Sequence, residues 1–151
     1  MKRELISICL LTALVAAVVA LATPQPPEKP AGLTASQALA MFEAGDVIFL
    51  DARSYDDYRQ GHIPGAINIP AHSTEKVNLI FKLEDMLRSV PRIVVYCTGP
   101  GCELSDILRN DLLALDFEEQ RLILFEGGME EWTASGYPVS TDTAFQESLL
   151  N

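Results

Sequence analysis

The stretch Ile93-Val-Val-Tyr-Cys97-Thr-Gly-Pro-Gly-Cys102-Glu-Leu-Ser105 decides the fold. Ile93 to Tyr96 are apolar at every position, the pattern of a strand buried on both faces. The run ends in a thiol, Cys97, and Gly99-Pro100-Gly101 then breaks the chain. From Glu103 to Leu115, Leu104, Ile107, Leu108 and Leu112 recur at helical spacing. A buried strand, a tight loop and an amphipathic helix, in that order, open a parallel crossover unit.

Working outward, two more runs are apolar throughout. Val47–Leu50 ends in Asp51, and Leu122–Phe125 ends in Glu126-Gly127-Gly128. Ala66 to Ile69 reads as a brief strand closed by Pro70. Helices fall between them. Thr34-Ala-Ser-Gln37 is a capping box for a helix that Gly45 stops. Ser54 with Asp57 opens a short helix that Gly61 ends, and His62-Ile-Pro-Gly65 places Pro and Gly as a type II turn wants them. Ser73 to Leu87 reads as a helix with Val77, Ile80, Phe81 and Met86 or Leu87 on its apolar side. Met129 to Ser135 is a last short helix, stopped by Gly136. The alternation predicts an α/β domain with a mostly parallel sheet and helices on each side. Ligands of such sheets sit at the carboxyl ends of the strands, here marked by Asp51, Cys97 and Glu126.

The loop after Cys97 has the composition of an anion site. Its turn can aim backbone N–H groups from Thr98 to Glu103 inward. The helix behind it adds unsatisfied N–H groups and a partial positive charge. A cysteine at that place is expected to have a lowered pKa and to act as a thiolate nucleophile. The plainer alternative is a cysteine that merely ends a buried strand. Cys102 is either a loop residue or a resolving thiol, because the Gly-Pro-Gly spacing permits a bridge to Cys97 without dictating one. Asp51 and Arg53 read as an ion pair supporting the neighbouring loop, His62 as a turn or packing residue, and Trp132 and Tyr137 as cover for the core.

Several motifs in this order resemble the rhodanese homology domain. They are Asp51-Ala-Arg53, Tyr55-Asp-Asp-Tyr58, Gly61-His-Ile-Pro-Gly-Ala-Ile-Asn-Ile-Pro70, Val94-Val-Tyr-Cys97, Ser105, Glu126-Gly-Gly128, Trp132 and Gly136-Tyr-Pro-Val139. The resemblance covers about Leu33 to Val139. It implies a five-stranded parallel sheet flanked by helices, with an active-site loop that begins at Cys97 and carries sulfane sulfur there as a persulfide. Thr98, Gly99, Pro100, Gly101, Cys102 and Glu103 would line the substrate site. The implied partners are a small sulfur donor and a thiol acceptor, with no cofactor. A sulfurtransferase or persulfide carrier is the expected function. The alternatives are a thiol redox or sensor module using Cys97 and Cys102, and a non-catalytic interaction domain on the same fold. The chain departs from the family pattern at the loop's end, where Cys102-Glu103 replaces the common basic residue and the serine comes late. A carboxylate there opposes anionic donors such as thiosulfate. It also stands where Cys-x5-Arg phosphatases need a guanidinium to grip phosphoryl oxygens, which argues against that activity.

The rest of the chain bounds the setting. With 11 Lys and Arg against 21 Asp and Glu in 151 residues, a formal charge of −10, nucleic acid is not an expected partner. Three cysteines and two histidines leave little material for a metal site. Lys2 and Arg3 precede Leu5–Ala22, interrupted only by the polar Ser7 and Thr12. That run predicts a hydrophobic helix serving as membrane anchor or signal segment, and Ala20-Leu21-Ala22 fits a cleavage site. Cys9 lies within it. The expected organisation is a hydrophobic segment at 1–22, a proline-rich linker at 23–32, the rhodanese-like domain at 33–143 and a tail at 144–151. The motif combination resembles exported, single-domain bacterial members. The domain is thus expected on the extracytoplasmic side of a bacterial membrane, or in the periplasm after cleavage.

Overall fold

The computed structural model describes residues 32–150. In chain order these form α1 (Ala35–Ala44), β1 (Val47–Asp51), α2 (Tyr55–Gln60), β2 (Ile67–Asn68), α3 (Lys76–Ser89), β3 (Arg92–Tyr96), α4 (Leu104–Ala114), β4 (Leu122–Phe125), α5 (Gly128–Ala134) and α6 (Ala144–Leu150). The strands are parallel, in the order β2-β1-β3-β4. Leu50 pairs with Val95, and Val95 with Leu124, so the three apolar runs stand in register.

Alternation along β3 divides the core. Ile93, Val95 and Cys97 join Leu79, Ile80, Leu83 and Leu87 of α3 and Leu108 and Leu112 of α4 on one face. Val94 and Tyr96 join Ala35 and Ala38 of α1 and Met129 and Trp132 of α5 on the other. The period-two pleat therefore sends the Cys97 side chain toward α4.

The local signals act as read. Thr34 and Gln37 close a reciprocal capping box, and Gly45 ends α1 in the left-handed region at φ 73°. The Ser54 side chain accepts the Asp57 N–H at the start of α2. Ala66 N–H donates to Ile63 O at 2.9 Å across Pro64 and Gly65, closing the turn that leads into β2.

Three expectations are corrected. The sheet has four strands among the described residues, where the resemblance implied five. Leu33 N–H makes one bond to Leu124 O beside β4, but Thr34 at once caps α1, so no ladder extends there. The buried side of α3 is Leu79, Ile80, Leu83 and Leu87, while Val77, Phe81 and Met86 are exposed. The two leucines at 79 and 83 lie on the same stripe as Ile80 and Leu87, and the sheet selects that stripe. Finally, residues 144–150, read as a tail, are helical over Ala144–Leu150. Gln146 is buried there and exchanges two hydrogen bonds with the Asn68 backbone, at 2.8 and 2.9 Å.

The expected hydrophobic helix lies outside the described residues, as does nearly all of the linker. Among the described residues no helix is long and apolar enough to cross a membrane.

Candidate active site

Cys97 follows the last residue of β3 and is 2 % exposed. The loop after it folds back on itself. Cys102 N–H donates to Gly99 O at 3.1 Å, and Gly101 between them takes φ 82°, a value suited to glycine. This turn brings Cys102 over Cys97. The two are joined by a disulfide, with Cα atoms 6.5 Å apart, a span such a bridge accommodates. The sequence left the role of Cys102 open between loop residue and thiol partner; tertiary folding makes it the partner.

On the α4 side Cys97 joins the apolar core, with two polar groups at its sulfur. The Ser105 hydroxyl, buried in the first turn of α4, donates to Cys97 Sγ at 3.7 Å. Cys97 Sγ lies 3.4 Å from the Cys102 carbonyl oxygen. Glu103, the residue before α4, makes no side-chain cap, so the helix presents its N–H groups uncapped. The Cys102 N–H belongs to the turn, which narrows the donors for a bound anion to the other amides of Thr98–Glu103.

A second element holds the loop from the opposite side. Met129 N–H donates to Cys97 O at 3.0 Å and Glu130 N–H to Thr98 O at 2.8 Å. This approach requires glycine at 128. A Cβ there would lie 2.4 Å from Cys97 O and 2.9 Å from Gly99 N, and the residue has φ 52°. The Glu130 carboxylate rests on the loop as well, since a Cβ at Gly99 would meet its Oε2 at 2.4 Å. Gly128 and Glu130 were not picked out individually from sequence. The signal for them was the Gly127-Gly128 pair directly after a buried strand.

Asp51 and Arg53 form the expected ion pair. Arg53 Nη2 and Nε donate to the Asp51 carboxylate at 2.6 to 3.2 Å, and Nη2 also donates to Gly61 O at 2.7 Å. Burial pulls the Arg53 guanidinium down, and Asp51 more than reverses this, so its pKa is raised. Burial, followed by the Asp51 charge, pushes Tyr58 up to about 12 and Tyr96 well above the usual phenol value. His62 stacks on Tyr58 with centroids 3.8 Å apart, and its Nδ1 lies 2.9 Å from Tyr58 O, a packing role as read. Trp132 is fully buried, its Nε1–H donating to Pro138 O at 2.7 Å, with Tyr137 packed edge-on against it.

A hollow of about 290 Å³ opens beside this brace, lined by Arg53, Asp57, Gly61, Met129 and Glu130 among others. A larger one, about 560 Å³, lies between α3 and α6, and none of its lining residues belongs to the 97–105 loop. The smaller hollow is not lined by that loop either, but two of its lining residues, Met129 and Glu130, donate their backbone N–H groups to Cys97 O and Thr98 O.

A parallel sheet with a cysteine at the end of a central strand, cradled by a glycine turn and a helix N-terminus, defines a cysteine-loop α/β domain of the rhodanese class. The model of the rhodanese-like domain matches residues 34–135, and the chain belongs to that family. It is 38 % identical over 113 residues to an HTH-type transcriptional regulator of Mycobacterium tuberculosis, covering 71 % of this chain but only 43 % of the regulator. The rhodanese-like domain of an Anabaena protein, solved in solution, has a TM-score of 0.57 and 26 % identity, covering 82 % of this chain and 83 % of that one. A thiosulfate sulfurtransferase from Pseudomonas aeruginosa has a TM-score of 0.53 at 23 % identity, covering 72 % of this chain and 20 % of that one, which shows the shared fold.

Proposed function

We propose that this domain is a sulfurtransferase or persulfide carrier in which Cys97 is the nucleophile. The observation that carries the reading is Cys97 at the end of β3, with the Ser105 hydroxyl directed at its sulfur and the uncapped start of α4 beside it. With the bridge reduced, the Cys97 thiolate attacks the outer sulfur of a donor and expels the remainder as an anion. The product, Cys97–S–S⁻, is held by loop amides and the helix dipole rather than by a cation, for no Lys or Arg lies between Cys97 and Ser105. An acceptor thiolate then takes the outer sulfur and restores Cys97. Donors without a second negative charge suit a loop flanked by Glu103 and Glu130.

The test is mass analysis of the reduced protein after exposure to an inorganic polysulfide. One added sulfur should map to the Cys97 peptide, and Cys97→Ser should lose it while its circular dichroism is unchanged. Sulfane sulfur still carried by Cys97→Ser would overturn the assignment. A thiol redox module is the second reading, favoured by the Cys97–Cys102 disulfide. It predicts reversible dithiol oxidation with no sulfur retained after polysulfide treatment.

The proposed setting is the extracytoplasmic face of a bacterial membrane. Its support is Lys2-Arg3 followed by the apolar Leu5–Ala22. Full-length protein should stay in the membrane pellet through alkaline carbonate and be digested by protease added to spheroplasts. Resistance to that protease until lysis would exclude the location.

A further inference from the structure

We propose that the disulfide form of this site takes hydrogen sulfide itself as its sulfur source, entering at Cys102 and ending as a persulfide on Cys97. The inference rests on the reading of Cys97 as a persulfide carrier and names the donor class for its oxidised state.

Three observations carry it. First, the two sulfurs are already bonded, so the site holds an electrophile with a two-electron oxidising capacity. Second, the bridge is graded in access. Cys97 is 2 % exposed, whereas Cys102, packed against the edge of the same core, is only partly buried. A nucleophile from solvent therefore reaches Cys102 first, and access is one of the factors that decide which sulfur is attacked. Third, the leaving group is provided for. The Ser105 hydroxyl donates to Cys97 Sγ, so negative charge that develops on this sulfur as the bridge breaks is met by a hydrogen bond.

The steps balance. HS⁻ attacks Cys102 Sγ, the Cys97–Cys102 bond breaks, and Cys97 leaves as a thiolate. Cys102 now carries –S–SH. The Cys97 thiolate attacks the outer sulfur, the Cys102–sulfur bond breaks, and the released Cys102 thiolate takes the proton of the former hydropersulfide. The net change is disulfide plus HS⁻ to Cys97–S–S⁻ plus Cys102–SH. Sulfide is oxidised to the sulfane level and the bridge is reduced. After an acceptor thiol removes the outer sulfur, an external disulfide oxidant must restore the bridge for another round. An ordinary thiol attacking the same bond would leave a carbon-substituted mixed disulfide and no transferable sulfur. Sulfide is also small and at most singly charged in the neutral range, which suits a loop bordered by Glu103 and Glu130.

The experiment mixes the full-length disulfide form with sodium sulfide under argon, quenches with an alkylating agent, and measures sulfane sulfur by cyanolysis and peptide mass. The expected result is one sulfane sulfur per bridge consumed, which fragment-ion sequencing of the Ile93–Arg109 peptide places on Cys102 at early times and on Cys97 later. Pre-reduced protein should gain none, because dithiol and sulfide are at the same oxidation level; this control does not depend on a variant folding. Cys102→Ser, which has no bridge to reduce, should also gain none from sulfide. A bridge untouched by sulfide, or one reduced with no sulfur retained, would overturn the proposal. If reduced protein loads from polysulfide in that case, the carrier reading stands and this inference alone falls; if it does not load, the carrier reading falls too.

Discussion

The ends of β1 and β3 are neighbours, with Asp51 paired to Tyr96 in register, yet they are held in opposite ways. The end of β1 is closed by side chains. Asp51 grips Arg53, Arg53 reaches Gly61 O, and Asn68 Nδ2–H donates to the carbonyls of Asp51 and Arg53 at 3.0 and 2.9 Å. The end of β3 is closed by backbone, through the amides of Met129 and Glu130 and the Gly99–Cys102 turn. Apart from Asn68 Oδ1, which is buried without a partner, the polar groups of the first are spent on one another, so it supplies rigidity. The second leaves two sulfurs and uncapped amides over, the groups on which the proposed sulfur chemistry rests.

That contrast can be broken most sharply at Arg53. Arg53→Met leaves the fully buried Asp51 carboxylate without its cation, and a stability loss of about 3–5 kcal/mol is expected by urea unfolding. At low denaturant the folded fraction should still load sulfur on Cys97. The backbone-held end is probed by a glycine pair. Gly128→Ala combines left-handed strain with a clash against Cys97 O, and should cost at least the roughly 1–3 kcal/mol of the strain and lower sulfur loading. Gly101→Ala has the same strain but open space around the Cβ, so it should sit at the low end of that range and spare loading. Equal effects from the two would show that the approach of α5 to the loop is unimportant.

Tyr58 probes the braced end more gently. Its hydroxyl donates to Ala66 O at 2.8 Å, and Tyr58→Phe should cost about 1 kcal/mol. The alkaline behaviour follows from its pKa of about 12 in the folded protein. Unfolded Tyr loses its proton near pH 10. Between these values the folded chain binds more protons, so its contribution to stability is full below about pH 10 and is lost as pH rises toward 12. Tyr58→Phe should flatten that limb in part, since buried Tyr96 contributes in the same sense. The smallest expected effect is at Glu103, exposed at the start of α4. Glu103→Gln should raise the second-order rate with thiosulfate roughly two- to fivefold at low salt, the size of an exposed charge interaction, and less at high salt. Rates with neutral donors should not change.

Most of the architecture was legible because its determinants are local. Continuous apolar runs mark strands covered on both sides, and Thr34, Ser54, Gly45 and Gly136 mark helix ends through hydrogen bonds made within a few residues. The apolar stripe of α3 was harder, since that helix carries apolar residues on more than one side and only the sheet chooses among them. The helical end of the chain was missed for a similar reason. Gln146 looks like any polar residue until Asn68, 78 positions away, supplies its partners.

The candidate site divides in the same way. Sequence alone determined that a cysteine ends a central strand, that a glycine-rich turn and a helix follow it, and that no cation stands in the loop. These are properties of consecutive residues. Only the tertiary structure decided that Cys102 bonds to Cys97, that Ser105 points at the sulfur, and that Gly128 admits a second helix against the loop. Those facts depend on where a turn returns the chain and on how closely α5 approaches β3, and such distances are set by packing across the sheet rather than by any one segment's preference.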